Sequence, residues 1–262
     1  MWLGILWAFL GTCFTFSVTS LGSFNVFFLK NKLNSNTQSV FLGFAGGVMI
    51  AASMWSLLLP AIDRAEEKGQ ISWLVATSGF LLGVVLLLTL DALIKNKTRN
   101  RKFGVLDLQS STGMLLLAIT IHNIPEGMAV GLAFAMAAER LYDTNLLTGA
   151  IALAIGIGIQ NYPEGTAVAL PLYKEGMSRK KAFLIGSMSA IVEPVFGVLA
   201  AVMASFISQF MPLLLSFAAG TMIYVVIEEL VPEAHAGGKE KIGTIGFILG
   251  FVIMMILDIA LG

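Results

Sequence analysis

The amino-acid sequence predicts an all-α integral membrane protein with eight transmembrane helices. Its 262 residues are 57% hydrophobic and only 12% charged, a composition outside the range of soluble domains. The apolar residues fall into long runs, each of the length that a helix needs to cross the hydrocarbon core of a bilayer. Two sequence patterns also occur twice, as expected for membrane carriers built from inverted repeats.

The eight predicted spans cover nearly the whole chain. They run over about 2–29, 39–62, 71–94, 108–137, 144–172, 181–207, 211–236 and 242–261. Because the connections are short, residues 1–262 are predicted to form a single transmembrane domain that contacts the lipid bilayer and carries no soluble module. The formal net charge of zero gives no electrostatic reason to expect a nucleic-acid partner, and none is predicted.

The basic residues in the connections predict the orientation of the chain. Cytoplasmic connections carry the excess of lysine and arginine in membrane proteins. Thirteen of these residues lie in the first, third, fifth and seventh connections, and three lie in the second and fourth. Both termini are therefore predicted to be extracytoplasmic, and the compact connections favour a prokaryotic inner or plasma membrane.

The first predicted span contains several small hydroxyl side chains among its apolar residues. Such groups either line a polar pathway or allow close packing between membrane helices. The residues concerned are Thr12, Thr15, Ser17, Thr19 and Ser20. Cys13 is the only cysteine, so no intrachain disulfide is possible.

The second and seventh spans share a sequence pattern. Residues 44–50 read FAGGVMI and residues 217–223 read FAAGTMI, and each stretch is followed by a proline, Pro60 or Pro232, and by acidic residues. The two spans have opposite predicted orientations. The similarity therefore predicts that spans one to three and six to eight are inverted copies around a central pair formed by spans four and five.

The fourth span carries ionisable residues at a depth where hydrocarbon disfavours them. His122, Asn123 and Glu126 lie within one helical turn, so their side chains can converge on one face. A charge at the bilayer centre costs on the order of 3 kcal/mol or more, and residues that accept this cost usually mark a pathway or site. Pro125 cannot donate a hydrogen bond to the Ile121 carbonyl, so a kink and a free oxygen are expected there.

The fifth and sixth spans contain similar groups. Gln160, Asn161 and Glu164 repeat the pattern 38 residues later, and Glu193 precedes a proline in the next span. Three carboxylates cannot stay charged and unpaired in an apolar interior. Imidazole, carboxylate and amide oxygen suit zinc, with cadmium, iron(II), manganese and cobalt as competitors. The alternative is that these groups only pin helix contacts, which is an expensive use of three buried glutamates.

The motifs HNIPEG and QNYPEG and the later Glu193-Pro194 resemble helices four, five and six of the ZIP (Zrt/Irt-like) divalent-metal transporters. The similarity is greatest to the prokaryotic GufA-like branch, and it covers essentially the whole chain. It implies two adjacent metal positions that share a carboxylate. The first would use His122, Glu126, Gln160 and Glu164, and the second would use Asn123, Asn161, Glu164 and Glu193.

The resemblance also implies properties of the whole carrier. These are uptake toward the cytoplasm, a homodimer, and movement of spans one, four, five and six as a unit against spans two, three, seven and eight. Divalent metal ions are the expected cargo, and no prosthetic group and no catalytic residue is expected. Further pathway positions that match the family are Met49, Asp63, Glu228, Glu229 and His235.

Two residues depart from the best-described bacterial pattern of this family. Asn161 stands where such members place aspartate, which removes a negative charge and a strong ligand from the second metal position. Glu228 occupies a place near the cytoplasmic exit where histidine can occur. Both changes bear on how many metal ions the protein holds and which metals it prefers.

Two other functions use the same residues. An intramembrane metallohydrolase could hold zinc with His122, Glu126 and Glu164 and activate a water molecule, but only one histidine is predicted to be buried and no HExxH pair is present. A metal-selective channel fits the chemistry of the acidic residues along the predicted pathway. The proline-broken helices and inverted repeats favour a carrier over a channel, and saturable uptake distinguishes the two.

The charge of the predicted site leads to a test by pH. The three glutamates carry −3, so one divalent ion leaves −1 and two leave +1. Without metal, at least one glutamate should be protonated or paired, because burial and nearby like charge both disfavour the ionised form. We therefore expect protons to move opposite to metal. Uptake into proteoliposomes should depend on pH, and a rate indifferent to pH would argue against this coupling.

Overall fold

The computed structural model of the protein describes residues 2–28, 35–97, 111–139, 144–236, 238 and 240–261. Within these residues every element is helical. Eight of the helical stretches are long and apolar enough to cross a membrane. The all-α fold with eight spans that the sequence predicts is thus confirmed.

Four of the eight helices are continuous or nearly so, and four contain a change of helix type or a break. We number them α1 (Trp2–Phe24, extended by a 3-10 turn at Asn25–Phe27), α2 (Ser35–Ala52, Ser53–Leu58, Leu59–Glu67), α3 (Ser72–Lys97), α4 (Ser111–Glu139), α5 (Thr144–Lys174), α6 (Arg179–Met188, Val192–Val202), α7 (Ala204–Val225, Val226–Leu230, Val231–His235) and α8 (Glu240–Leu261).

The boundary between the sixth and seventh spans differs from the predicted one. The sequence predicts an end at about 207 and a new start at about 211, whereas α6 ends at Val202, α7 begins at Ala204, and only Met203 separates them. Residues 202–211 are largely apolar, so hydropathy contains no signal for the turn. Met203 makes the turn with φ −104° and ψ 26°.

Several predictions concern residues outside the described ranges. They include the end of the first predicted span at 29 and the start of the fourth at 108–110. Many of the basic residues that predict the orientation also lie there, namely Lys30, Lys32, Arg99, Arg101, Lys102, Arg140 and Lys239. The orientation of the termini therefore stays a prediction.

The packing of the helices follows the predicted inverted repeat. α1 packs along α5 as α6 packs along α4, and α2 packs along α8 as α7 packs along α3. α1 and α6 run in opposite directions, because Thr15 contacts Glu193 while Thr12 contacts Gly197. An exchange of α1 with α6, α2 with α7, α3 with α8 and α4 with α5 therefore preserves the arrangement.

Each of the two related helices α2 and α7 contains a π-helical turn at the same place. The turns are Ser53–Leu58 and Val226–Leu230, and each leads into a helical segment with proline at its start. In each, a backbone N–H reaches the carbonyl five residues back, from Leu59 to Met54 and from Val231 to Val226. A proline removes one i to i−4 hydrogen bond, so the preceding turn can widen.

Glycine allows the helices to touch backbone to backbone, and these contacts define two groups. A Cβ atom on Gly131 of α4 would overlap the Gly197 carbonyl of α6, and one on Gly22 of α1 would overlap the Tyr162 carbonyl of α5. Similar contacts join α2 to α8 and α3 to α7, at Gly43, Gly47, Gly83, Gly220 and Gly250. Each contact lies either within α1, α4, α5 and α6, which we call group A, or within α2, α3, α7 and α8, which we call group B.

The glycine contacts predict a difference between two glycine-to-alanine variants. Gly131→Ala should lower the melting temperature in detergent, because overpacking against backbone costs about 1–3 kcal/mol. Gly149→Ala is the matched control, because open space surrounds Gly149 on α5 and alanine favours a helix. Thermal unfolding of both variants measures this difference. Equal melting of Gly131→Ala and the native protein would contradict the close packing.

Candidate metal centre

The seven residues of the predicted site lie on three helices of group A. Three of them are on α4, namely His122, Asn123 and Glu126, and three are on α5, namely Gln160, Asn161 and Glu164. Glu193 lies in the first turn of the second segment of α6. All seven side chains are 0% exposed. Direct contacts link six of them into two clusters, and Asn123 lies beside these clusters with its amide nitrogen 3.4 Å from the Ser189 carbonyl of α6.

Prolines shape the backbone around the site. Pro125 and Pro163 lie inside helices that continue through them, so the carbonyls of Ile121 and Ile159 lack their usual helical donors. In α6 the helix stops after Met188 and restarts at Val192. This break contains Ala190, whose carbonyl a residue with an N–H group at position 194 would bond in a continuous helix, and Pro194 has no such group. The sequence predicts a continuous sixth span and not this break. The break places Glu193 in the first turn of a helix, where the helix dipole favours a carboxylate.

The first cluster combines one imidazole with two carboxylates. His122 Nδ1 lies 3.7 Å from Glu126 Oε1, and His122 Nε2 lies 3.4 Å from Glu164 Oε2. One ligand atom from each of the three residues lies within 4.8 Å of the other two. The amide nitrogen of Gln160 donates a hydrogen bond to Glu126 Oε1.

Most polar atoms of the first cluster have no hydrogen-bond partner among the residues that the structure describes. These atoms are both ring nitrogens of His122, Oε2 of Glu126, Oε1 of Gln160 and both carboxylate oxygens of Glu164. Buried polar atoms are almost always partnered in folded proteins. A convergent group of unpartnered nitrogen and oxygen atoms therefore fits a bound cation, and this donor set suits zinc and its neighbours.

The second cluster surrounds Glu193 and differs in kind. The Thr15 hydroxyl of α1 donates to Glu193 Oε2, and Asn161 Nδ2 of α5 donates to Glu193 Oε1 at 2.9 Å. Thr15 was predicted only to line a pathway or to pack, and its contact with Glu193 spans 178 residues of chain. The spacing of residues along the sequence carries no signal for such a contact.

The five predicted pathway residues lie outside these two clusters. Met49 is fully buried on α2, and Asp63 is exposed near the end of the same helix. Glu228 is exposed on α7, whereas Glu229 lines a cavity. His235 is partly buried at the end of α7, with its Nε2 atom 3.3 Å from the Thr244 hydroxyl.

Two cavities lie at opposite ends of the helix bundle. One of about 420 Å³ lies near the start of α5 and the end of α8, and its lining includes Trp55, Ser56, Thr148 and Asp258. The other, of about 230 Å³, lies near the end of α5 and the end of α7, and its lining includes Leu115, Lys174, Glu229 and Glu233. Each cavity is lined by residues of one π-helical turn and of α5.

Eight spans arranged as inverted repeats around a buried cluster of titratable side chains define a membrane transport protein. Residues 95–258 match the model of the ZIP zinc transporter family. The match covers more than half of the chain, which therefore belongs to this family.

Three relatives that match nearly the whole chain support the same assignment. The chain is 35% identical to the zinc transporter ZIPB of Bordetella bronchiseptica, over 98% of this chain and 82% of that protein. It is 32% identical to the zinc transporter GufA of Myxococcus xanthus, over 94% and 95% of the two chains. It is 34% identical to the zinc transporter ZIP11 of Xenopus tropicalis, over 98% of each chain. Family membership supports the transport of metal ions.

Proposed function

We propose that this protein carries divalent metal ions, zinc above all, across the membrane toward the cytoplasm by alternating access. The observation that carries the proposal is the convergence of His122, Glu126 and Glu164, which are fully buried and whose ligand atoms lie within 4.8 Å of one another. Cadmium, iron(II), manganese and cobalt are further candidate ions because the same donor types bind them.

The charges of the cluster match a divalent ion. Glu126 and Glu164 together carry −2 when ionised, and one divalent ion brings the cluster to neutrality. An uncompensated pair of carboxylates in a dry interior is strongly unfavourable. A bound cation would also give partners to the oxygen and nitrogen atoms that the protein leaves unpartnered.

The two helix groups supply a way to move the ion. All seven site residues and Thr15 belong to group A. Backbone contacts at glycine hold each group together, whereas the main contacts between the groups are those of α4 with α7 and α2 with α5. Sliding of group A against group B would bring the site toward one cavity or the other, as carriers with inverted repeats do.

The proposal includes further features of the carrier. We expect a homodimer in a prokaryotic inner or plasma membrane, with the bundle surface facing lipid. The exposed aliphatic side chains of α3 and α8 suit this environment, and they include Leu81, Leu82, Val85, Ile248, Ile256 and Ile259. Because the curated relatives are named as transporters, a carrier is also favoured over a hydrolase.

Metal uptake into proteoliposomes tests the site directly. Zinc, cadmium, iron(II) and manganese would be offered to the native protein and to its His122→Ala and Glu164→Ala variants. We expect saturable uptake by the native protein and an uptake rate at least roughly tenfold lower in each variant. Removal of a residue that only hydrogen-bonds a metal ligand already lowers metal affinity or activity by about this factor.

Thr89→Val is the matched control for the uptake experiment. Thr89 lies on the exposed face of α3 and donates a hydrogen bond within its own helix, to the Val85 carbonyl. This variant should transport as the native protein does. Uptake that is absent from the native protein, or unchanged in both site variants, would refute a carrier with this site. Uptake that never saturates would indicate a channel.

Cross-linking between the two groups tests alternating access. Lys174 of α5 and Glu233 of α7 form an ion pair with 3.3 Å between Nζ and Oε1, and this pair joins group A to group B. Both residues would be changed to cysteine in a Cys13→Ser background and joined with a short bismaleimide. We expect the cross-link to stop uptake, because it fixes the groups relative to each other.

The control cross-link joins two residues of the same group. Phe24 of α1 and Phe183 of α6 have ring centroids 5.9 Å apart, and both helices belong to group A. The same treatment of a Phe24→Cys, Phe183→Cys protein should leave uptake intact. If the Lys174 to Glu233 cross-link leaves uptake intact as well, the groups do not move as proposed.

A further inference from the structure

The three buried glutamates of the centre differ in how their oxygens are satisfied. Among the described residues, neither oxygen of Glu164 and not Oε2 of Glu126 has a hydrogen-bond partner. Both oxygens of Glu193 accept hydrogen bonds, from the Thr15 hydroxyl and from the Asn161 amide. All of these side chains are fully buried, so exposure to solvent does not account for the difference.

We propose that the centre holds one divalent ion, bound at the first position, and that Thr15 and Asn161 close the second position. They do so by holding the Glu193 carboxylate in hydrogen bonds that tie α1, α5 and α6 together. This inference rests on the proposed function, because it takes the first position to bind metal. It assigns Thr15 and Asn161 as positioning residues. The substrate class is unchanged, but the number of ions carried in each cycle becomes one.

The orientation of the Asn161 amide supports this closure. Its Nδ2 atom lies 2.9 Å from Glu193 Oε1 and 3.4 Å from the Thr15 carbonyl oxygen, and both of these atoms only accept hydrogen bonds when the carboxylate is ionised. The reversed amide would point its oxygen at both acceptors and lose both bonds. The network therefore determines which amide atom faces Glu193, and it is the nitrogen, which cannot bind a cation. The Asn161 oxygen points away from Glu193 and has no hydrogen-bond partner among the described residues.

The remaining ligands of the second position are weak without Glu193. The amide oxygens of Asn123 and Asn161 have no hydrogen-bond partner among the described residues and could bind an ion, but they carry no charge. Glu164 would have to be shared with the first position. Asn123 directs its amide nitrogen to the Ser189 carbonyl of α6. After one ion has neutralised Glu126 and Glu164, a second divalent ion would meet no free carboxylate in a buried site, which is unfavourable.

The contacts of Glu193 indicate that its carboxylate joins helices instead of binding a metal ion. Thr15, Asn161 and Glu193 lie on α1, α5 and α6, so the hydrogen bonds join three of the four helices of group A. The backbone of Glu193 lies directly against Gly127 of α4, the fourth helix. The carboxylate thus stabilises the packing of the group that contains the first metal position.

The number of bound ions per chain tests the proposal. The purified full-length protein would be dialysed against zinc or cadmium in detergent and its metal content measured by mass spectrometry. We expect one ion per chain for the native protein and none for His122→Ala. Asn161→Asp should bind two ions, because the new carboxylate cannot donate to Glu193 and adds a ligand. Asn161→Asp combined with Glu193→Gln should return to one ion.

The outcomes separate this inference from the proposed function. A native protein that binds no ion refutes the metal site itself, whereas two ions in the native protein refute only the closure of the second position. One ion in Asn161→Asp would show that the amide is not what excludes the second ion.

Thermal unfolding without metal tests the tie itself. Thr15→Val should have a lower melting temperature than the native protein, because valine cannot donate a hydrogen bond to Glu193. Thr15→Ser, which keeps the hydroxyl, and Thr89→Val should both melt at the native temperature. Equal melting of Thr15→Val and Thr89→Val would refute the tie between helices.

Discussion

The burial of three carboxylates and one imidazole among membrane helices is the constraint on which the rest of this structure depends. Each of these buried groups needs a hydrogen bond, an opposite charge or a metal ion, because a buried polar or charged group without a partner costs free energy. Glu193 obtains its partners from two other helices, and α6 breaks so that this carboxylate lies at a helix start. His122, Glu126 and Glu164 obtain too few partners from the protein alone, which leaves them suited to a cation.

The same constraint explains why the site lies inside a tightly packed group of helices. Gly127 and Gly131 bring α4 against α6, and Gly165 brings α5 against α1, so that side chains from several helices meet at one depth. A larger residue at these positions would separate the backbones and with them the ligands. The close packing therefore serves the geometry of the site as well as the stability of group A. The seam between the groups lies elsewhere, chiefly between α4 and α7 and between α2 and α5.

The inverted repeat gives the two ends of the bundle similar shapes but different chemistry. The π-helical turns of α2 and α7 each line a cavity beside the central helices. At one end Ser56 donates a hydrogen bond of 2.6 Å to Asp258. At the other end Glu229 and Glu233 lie near Lys174. The two ends of the bundle therefore present different polar side chains beside similar cavities.

The sequence by itself determined the class of fold and the residues that make up the candidate site. Long apolar runs report directly on membrane spans, since the cost of burying polar residues in lipid acts on each segment separately. The pairing of His122 with Glu126, and the copy at Gln160 and Glu164, indicates a metal site through spacing along single helices, and the structure brings these residues together. The repeated FAGGVMI and FAAGTMI stretches likewise predicted the relation between α2 and α7.

Only the tertiary structure decided how the buried groups share their partners. The turn at Met203, the break in α6, the bond from Thr15 to Glu193 and the direction of the Asn161 amide have no signature in hydropathy or spacing. Each depends on contacts between helices that are distant along the chain, and the energy of a buried hydrogen bond is set by the atoms that meet there. A sequence shows which polar groups enter the membrane, but the packing of the helices decides which of them remain free to bind an ion.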